Sequence, residues 1–286
     1  MDLSQSALGK KTEYPQGYDS SLLQPISREL GRTELGSDYI DFQGVDIWYA
    51  YEFSWLNPIG KPEIAVIRFT FPASNPYLIE SKSFKLYLNS FNNEHLERNE
   101  VIKLLTGDLK NATRGDVSVE FFNSDEFENL LSNWLEGRAS ASCVLNLDEL
   151  DIDFFQYYPD PNLLQTEEIN GSDLIEEELE SHLLKSNCPV TGQPDWATVH
   201  IKYSSDKKIN HEGLLRYIVS YRNHSGFHEQ CVERIYADIW KHCQPKYLSV
   251  FAMYTRRGGL DINPFRETAG SNTSYNKLDD QRQFRQ

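Results

Sequence analysis

The chain of 286 residues carries 28 basic against 43 acidic side chains, a formal net charge of -15, with 39% hydrophobic and 25% charged residues. That length and composition allow one large or two modest domains with a real core, and the acidic balance argues against nucleic acid as a direct partner, since a phosphate backbone would be repelled. No apolar run approaches a membrane span, and residues 1–11 lack the apolar segment of a signal peptide. The four cysteines (Cys143, Cys188, Cys231, Cys243) show no paired or metal-ligand spacing, so a reduced, cytoplasmic protein without a metal site is expected.

Taken in order, residues 1–36 are polar, punctuated by Pro15, Gly17, Pro25 and Gly31, and read as an extended arm. The aromatic, β-prone run from Val45 to Trp55, a turn over Asn57–Pro62 and a second apolar run from Glu63 to Phe71 predict a hairpin. Phe84, Leu88 and Phe91 fall at helical spacing, which puts Ser81–Ser83 near a helix start, a place where an anion can bind or where a plain capped helix simply begins. A second helix is predicted over 99–109, a strand over 116–122, a short helix over 125–134 and a strand over 142–150. Residues 151–185, with Pro159, Pro161, Gly171 and the acidic run Glu176–Glu180, read as a connection with a solvated charged face.

The stretch Ser186–Asp195 holds Cys188, Pro189, Gly192, Pro194 and Asp195. Two prolines remove two donors and fix two φ angles, so it reads as a stiff loop. It leads into a strand whose alternation sets Ala197, Val199, Ile201 and Tyr203 against Thr198, His200 and Lys202. A thiol on a rigid loop near a carboxyl suits covalent chemistry with a proton donor; the plainer alternative is a turn with a buried cysteine that packs as a small hydrophobe. Helices follow over 212–221 and 227–242, the second stopped at Gln244-Pro245, then a strand over 247–254 and a glycine turn rich in cations over 255–264. The order of hairpin, helices and strands recurs in the two halves and suggests a tandem α+β duplication with antiparallel sheets.

Four stretches stand together: Glu80-Ser81-Lys82-Ser83-Phe84-Lys85-Leu86-Tyr87, the Cys188–Asp195 loop, Phe227-His228-Glu229-Gln230-Cys231-Val232-Glu233-Arg234, and Tyr254 to Pro264 with Arg256-Arg257-Gly258-Gly259 inside it. Together they resemble the NADPH-dependent 7-cyano-7-deazaguanine reductases of the queuosine pathway, in their long, two-half form. The resemblance implies a tandem duplicated tunnelling fold with helices packed on one face of antiparallel sheets. The halves would span 41–150 and 186–286, after an arm over 1–40 and around an acidic connection over 151–185. It also implies a homodimer that reduces a nitrile to a primary amine with NADPH. Carried over residue by residue, it makes Cys188 the nucleophile that forms a thioimide and Asp195 the proton donor. Ile79, Glu80, Ser81, His228 and Glu229 would meet the substrate, and Ser81, Lys82, Arg257 and Gly258 the cofactor. Two rivals stand beside it. A pterin-type tunnelling-fold enzyme would need a His/Cys zinc set, which the seven histidines do not form with Cys188. A non-enzymatic protein binding partners through its acidic face would leave Cys188 dispensable.

Overall fold

The computed structural model describes residues 15–36, 41–130, 144–169 and 174–271. In chain order these form β1 (Pro25–Ser27), α1 (Glu29–Thr33), β2 (Phe42–Leu56), β3 (Pro62–Pro72), β4 (Tyr77–Ile79), α2 (Ser81–Asn89), α3 (Arg98–Thr113), β5 (Ser118–Phe122) and the helical residues 124–130, labelled α4. There follow β6 (Val144–Asn146), β7 (Thr166–Glu168), β8 (Ile175–Asn187), β9 (Pro194–Ser205), β10 (Lys207–Ile209), α5 (His211–Ser220), α6 (His228–Cys243), β11 (Tyr247–Tyr254) and β12 (Leu260–Thr268). The chain is mixed α+β and separates into two compact units. The first holds residues 15–34, 45–130 and 256–262 of those described; the second holds 35–44, 144–255 and 263–271.

In the first unit β2 and β3 make a long antiparallel hairpin, irregular between Ala50 and Phe53, with β5 on its outer edge. Phe84, Tyr87 and Leu88 of α2 and Val101, Leu105 and Leu109 of α3 recur at helical spacing. They close a core with Trp48, Phe53, Ile67 and Phe69 of the hairpin. The arm is not merely extended: β1 pairs with β4, Ile26 is buried, and Arg28 forms a buried ion pair with Asp46.

In the second unit β8 and β9 make the corresponding hairpin, irregular between Ser181 and Leu184, in a sheet ordered β12-β11-β9-β8-β6. All its neighbours are antiparallel except β6 and β8, which run parallel, a departure from the purely antiparallel expectation. The alternation predicted on β9 holds: Ala197, Val199, Ile201 and Tyr203 pack with Leu214, Leu215, Ile218, Val232, Ile235 and Ile239 of α5 and α6. Each unit repeats one buried pairing. The Tyr87 hydroxyl donates to Asp108 Oδ2 at 2.6 Å in the first, and the Tyr217 hydroxyl to Asp238 Oδ2 at 2.6 Å in the second. Each long helix is 16 residues and ends on a left-handed residue, Arg114 at φ 52° and Gln244 at φ 50°.

Three expectations are corrected. The acidic run Glu176–Glu180 is no connection but the first half of β8, paired with β9. The glycine turn is shorter than 255–264, because Asp261–Pro264 already lie in β12, all buried. The predicted strand over 142–150 reduces, from residue 144 on, to Val144–Asn146 followed by a single helical turn at Leu147–Glu149. Residues 142–143 and the 131–134 end of the predicted short helix lie outside the described residues, as does Cys143.

Candidate active site

The β8–β9 hairpin carries the thiol. Ser186 pairs with Asp195 and Asn187 with Pro194, so the stiff loop is only the six residues Cys188–Gln193 between strand ends. Pro194 opens β9, a strand position where a missing donor costs nothing. The turn closes on itself: the Cys188 N–H donates to the Gln193 carbonyl at 2.8 Å, and the Gly192 N–H to the Cys188 carbonyl at 3.0 Å, with Gly192 at φ 67°. It is also pinned from outside. The Asn187 N–H donates to the His224 carbonyl at 2.8 Å and the Gly226 N–H to the Asn187 carbonyl at 3.1 Å. That bend immediately precedes α6, whose first two residues are His228 and Glu229.

The pinning brings four predicted residues to one end of the second unit. Cys188 is 7% exposed, Asp195 6% and Glu229 3%. His228 Nε2 lies 3.5 Å from Asp195 Oδ2, and its ring lies flat on Tyr254, centroids 3.6 Å apart and planes within 4°. A buried thiol, a buried carboxyl and an imidazole at the mouth of a sheet can carry nucleophilic addition with proton transfer. Beneath them Cys231 is fully buried, and burial pushes its thiol up to about 12, which makes it a packing residue and no second nucleophile.

The other predicted residues lie in the first unit. Ile79 ends β4, Glu80 is the N-cap of α2, and Ser81 and Lys82 are its first turn. The Glu80 carboxylate, fully buried, accepts the N–H groups of Lys82 at 2.8 Å and Ser83 at 2.7 Å. Burial raises its pKa, and those two hydrogen bonds pull against the rise. The arm fixes this corner: the Gln24 N–H donates to Ser83 Oγ at 3.1 Å, and the Glu80 N–H to the Gln24 carbonyl at 2.9 Å. The expected anion site at the helix start is thus partly filled by the chain's own carboxylate, which holds two of the free amides.

Arg257 and Gly258 sit in the tight turn before β12, closed by the Arg257 N–H to the Leu260 carbonyl at 2.8 Å, with Gly258 at φ 61° and Gly259 at φ 79°. Lys85, one helical turn beyond Lys82, donates to the Gly258 carbonyl and pairs with Glu52 at 2.5 Å, tying α2 to this turn. Arg256 stacks its guanidinium over Tyr51 at 4.6 Å. Lys85 and Tyr254 also contribute. Each lies inside one of the four motifs, but the partner that gives it a role, Gly258 for Lys85 and His228 for Tyr254, is remote in sequence. Ser81, Lys82 and Arg257 offer cations and donors of the chemistry that fits the phosphates of a dinucleotide. Among the described residues no group of three or more His, Cys, Asp or Glu could hold a metal ion.

The two motif-bearing regions match known families. A model described as nitrile reductase, 7-cyano-7-deazaguanine-reductase N-term, matches residues 14–121, and one described as QueF-like protein matches residues 194–273. The NADPH-dependent 7-cyano-7-deazaguanine reductase of Bordetella avium is 50% identical over 273 residues, covering 95% of this chain and 96% of that one. The protein of the same name from Cupriavidus pinatubonensis is 51% identical over 265 residues, covering 91% and 92%. An archaeosine synthase QueF-Like crystal structure in the apo form matches with 18% identity and a TM-score of 0.31, over 36% of this chain and 99% of that one. The family model over the first unit and the relatives that span nearly the whole chain mark a nitrile reductase. The chain belongs to the NADPH-dependent 7-cyano-7-deazaguanine reductase family.

Proposed function

We propose that the chain uses NADPH to reduce the nitrile of 7-cyano-7-deazaguanine to the amine of 7-aminomethyl-7-deazaguanine, a step of queuosine biosynthesis. The observation that carries this reading is Cys188 on a closed, pinned turn at the strand end that also bears the Asp195–His228 pair. A nitrile carbon accepts hydride poorly until it is activated. The Cys188 sulfur adds to it, forming a C–S bond, and the proton that the thiol gives up passes through Asp195 to the nitrile nitrogen, leaving a thioimide. NADPH, when bound, would supply two hydrides, each matched by a proton from solvent, so that the nitrile carbon becomes the amine and the Cys188 thiol is set free. His228 holds the Asp195 carboxyl in line. Glu229 offers an acceptor-only carboxylate to the ring and exocyclic N–H groups of the base. Ile79 meets the ring plane and Glu80 its N–H edge, on lone pairs left beyond its two backbone hydrogen bonds. Lys82 and Arg257 carry the charges that meet the cofactor phosphates, with Ser81 and Gly258 beside them.

The finer architecture belongs to the same proposal: the two units are the halves of a tandem tunnelling fold. Its support is recurrence at a constant spacing. Tyr87 and Tyr217, Asp108 and Asp238, and the left-handed caps Arg114 and Gln244 each stand 130 apart. By strand pairing rather than by that spacing, Leu56, opposite Pro62 and bridged to His95, answers to Asn187, opposite Pro194 and bridged to Ser225. Asn57, Glu63 and Arg98 then take the places of Cys188, Asp195 and His228, beside an open groove of about 460 Å³. A homodimer in the cytoplasm completes the reading, to be checked by analytical ultracentrifugation and fractionation. The function itself is tested by mixing the protein with 7-cyano-7-deazaguanine and NADPH: nicotinamide absorbance should fall by two equivalents per nitrile, and an unchanged absorbance would reject it.

A further inference from the structure

An imidazole that works in a site normally has its plane and tautomer fixed by a hydrogen bond on the nitrogen away from the reacting group. His228 departs from that pattern. Its Nε2 faces Asp195 at 3.5 Å, while its buried Nδ1 makes no hydrogen bond among the described residues. What fixes the ring is a face: the Tyr254 ring lies 3.6 Å below it, only 4° from parallel. Tyr254 is itself immobile. It is fully buried at the end of β11, paired across to Ala197, and its N–H donates to Asn263 Oδ1 at 3.0 Å. Burial also holds its phenol far above the ordinary tyrosine range, so it is neutral and no proton source.

We propose that Tyr254 is a positioning residue for the nitrile reduction, its ring acting as the platform that sets the plane of His228 and so aims Nε2 at Asp195. The role belongs to the ring face and not to the hydroxyl. This rests on the proposed activity, and the experiment separates the two. In the wild type, the His228 ring protons should appear well upfield of ordinary histidine positions in NMR, because they lie over the face of Tyr254; ordinary positions would overturn the stack with no variant made. Tyr254→Phe keeps the face and should keep kcat within about threefold. Tyr254→Met keeps bulk without a face and should lose about 100-fold in kcat, the scale of a misplaced catalytic group, with KM for NADPH within about twofold. A Tyr254→Phe loss as large as that of Tyr254→Met, or wild-type kcat in Tyr254→Met, would overturn the platform role. If Tyr254→Met does not fold, the wild-type spectrum and Tyr254→Phe still decide. Failure of the wild type to consume NADPH with the nitrile would sink the activity and leave the NMR arm standing.

Discussion

Four acidic or titratable side chains show how position decides chemistry at the scale of the residue. Glu80 and Glu229 both stand at helix starts, yet Glu80 spends both oxygens on its own helix. Glu80→Gln leaves one acceptor for two N–H groups and should cost about 1 kcal/mol of stability in chemical denaturation. Glu229→Gln puts a donor against a donor and should weaken nitrile binding about tenfold, with NADPH binding unchanged. Titration calorimetry on a Cys188→Ala background reads both without adduct formation. Cys188→Ser should abolish turnover and the covalent adduct seen by intact-protein mass spectrometry; an adduct surviving in that variant places the nucleophile elsewhere. His224 is a pH-dependent element of the same turn. Burial, helped by the nearby Arg234 charge, holds it down to about 4 from an ordinary 6.5. Below about pH 6.5 the unfolded chain takes up a proton that the folded chain refuses, so stability falls between pH 6.5 and 4, by at most about 1.4 kcal/mol per pH unit. Urea midpoints at pH 5 and 7 should differ less in His224→Gln than in the wild type.

Secondary structure was legible wherever local periodicity dictates it. Both helix pairs, the first hairpin and the alternation on β9 follow from apolar spacing. The misread stretches share a cause: their polar residues are satisfied by partners remote in sequence. In β8, Glu178 pairs with Lys202 and Glu177 accepts from the Tyr203 hydroxyl at 2.5 Å, so acids that look solvated are cross-strand partners. In β12, Asp261 accepts from the Tyr51 hydroxyl at 2.5 Å and Glu233 from Arg266 at 2.8 Å, which lets a polar run with a proline be buried. Of the site, the motif residues were legible by resemblance, whereas the Glu80 cap, the Lys85 tie and the Tyr254 stack arise only in three dimensions. The turn before β12 carries a prediction of its own. Lys82→Ala and Arg257→Ala should each raise KM for NADPH far more than KM for the nitrile in steady-state assays, and equal effects would refute the cofactor assignment. At Gly44 the neighbouring chain decides: an added Cβ would stand 2.0 Å from the Phe265 carbonyl oxygen, so Gly44→Ala should cost about 2–3 kcal/mol in the same denaturation assay.

At the scale of the whole molecule, the proposed duplication is unequal. The thiol and its carboxyl belong to one unit, and the matching places in the other hold Asn57 and Glu63. Saturating nitrile without NADPH should therefore give one adduct per chain by mass spectrometry, never two. The boundaries of the units carry a different consequence. The first unit includes 256–262, which brings it Asp261 for Tyr51 and the Gly258 carbonyl for Lys85; the second includes 35–44, with Phe42 edge-on to Tyr236. Each unit borrows a strand end from the far side of the sequence. No single scission of the backbone can then release both as complete bodies: a cut near residue 140 strips the first of its closing turn and the second of its opening strand. Gene fission, the reverse of the proposed duplication, is closed to this chain unless the two fragments are produced together and trade those ends.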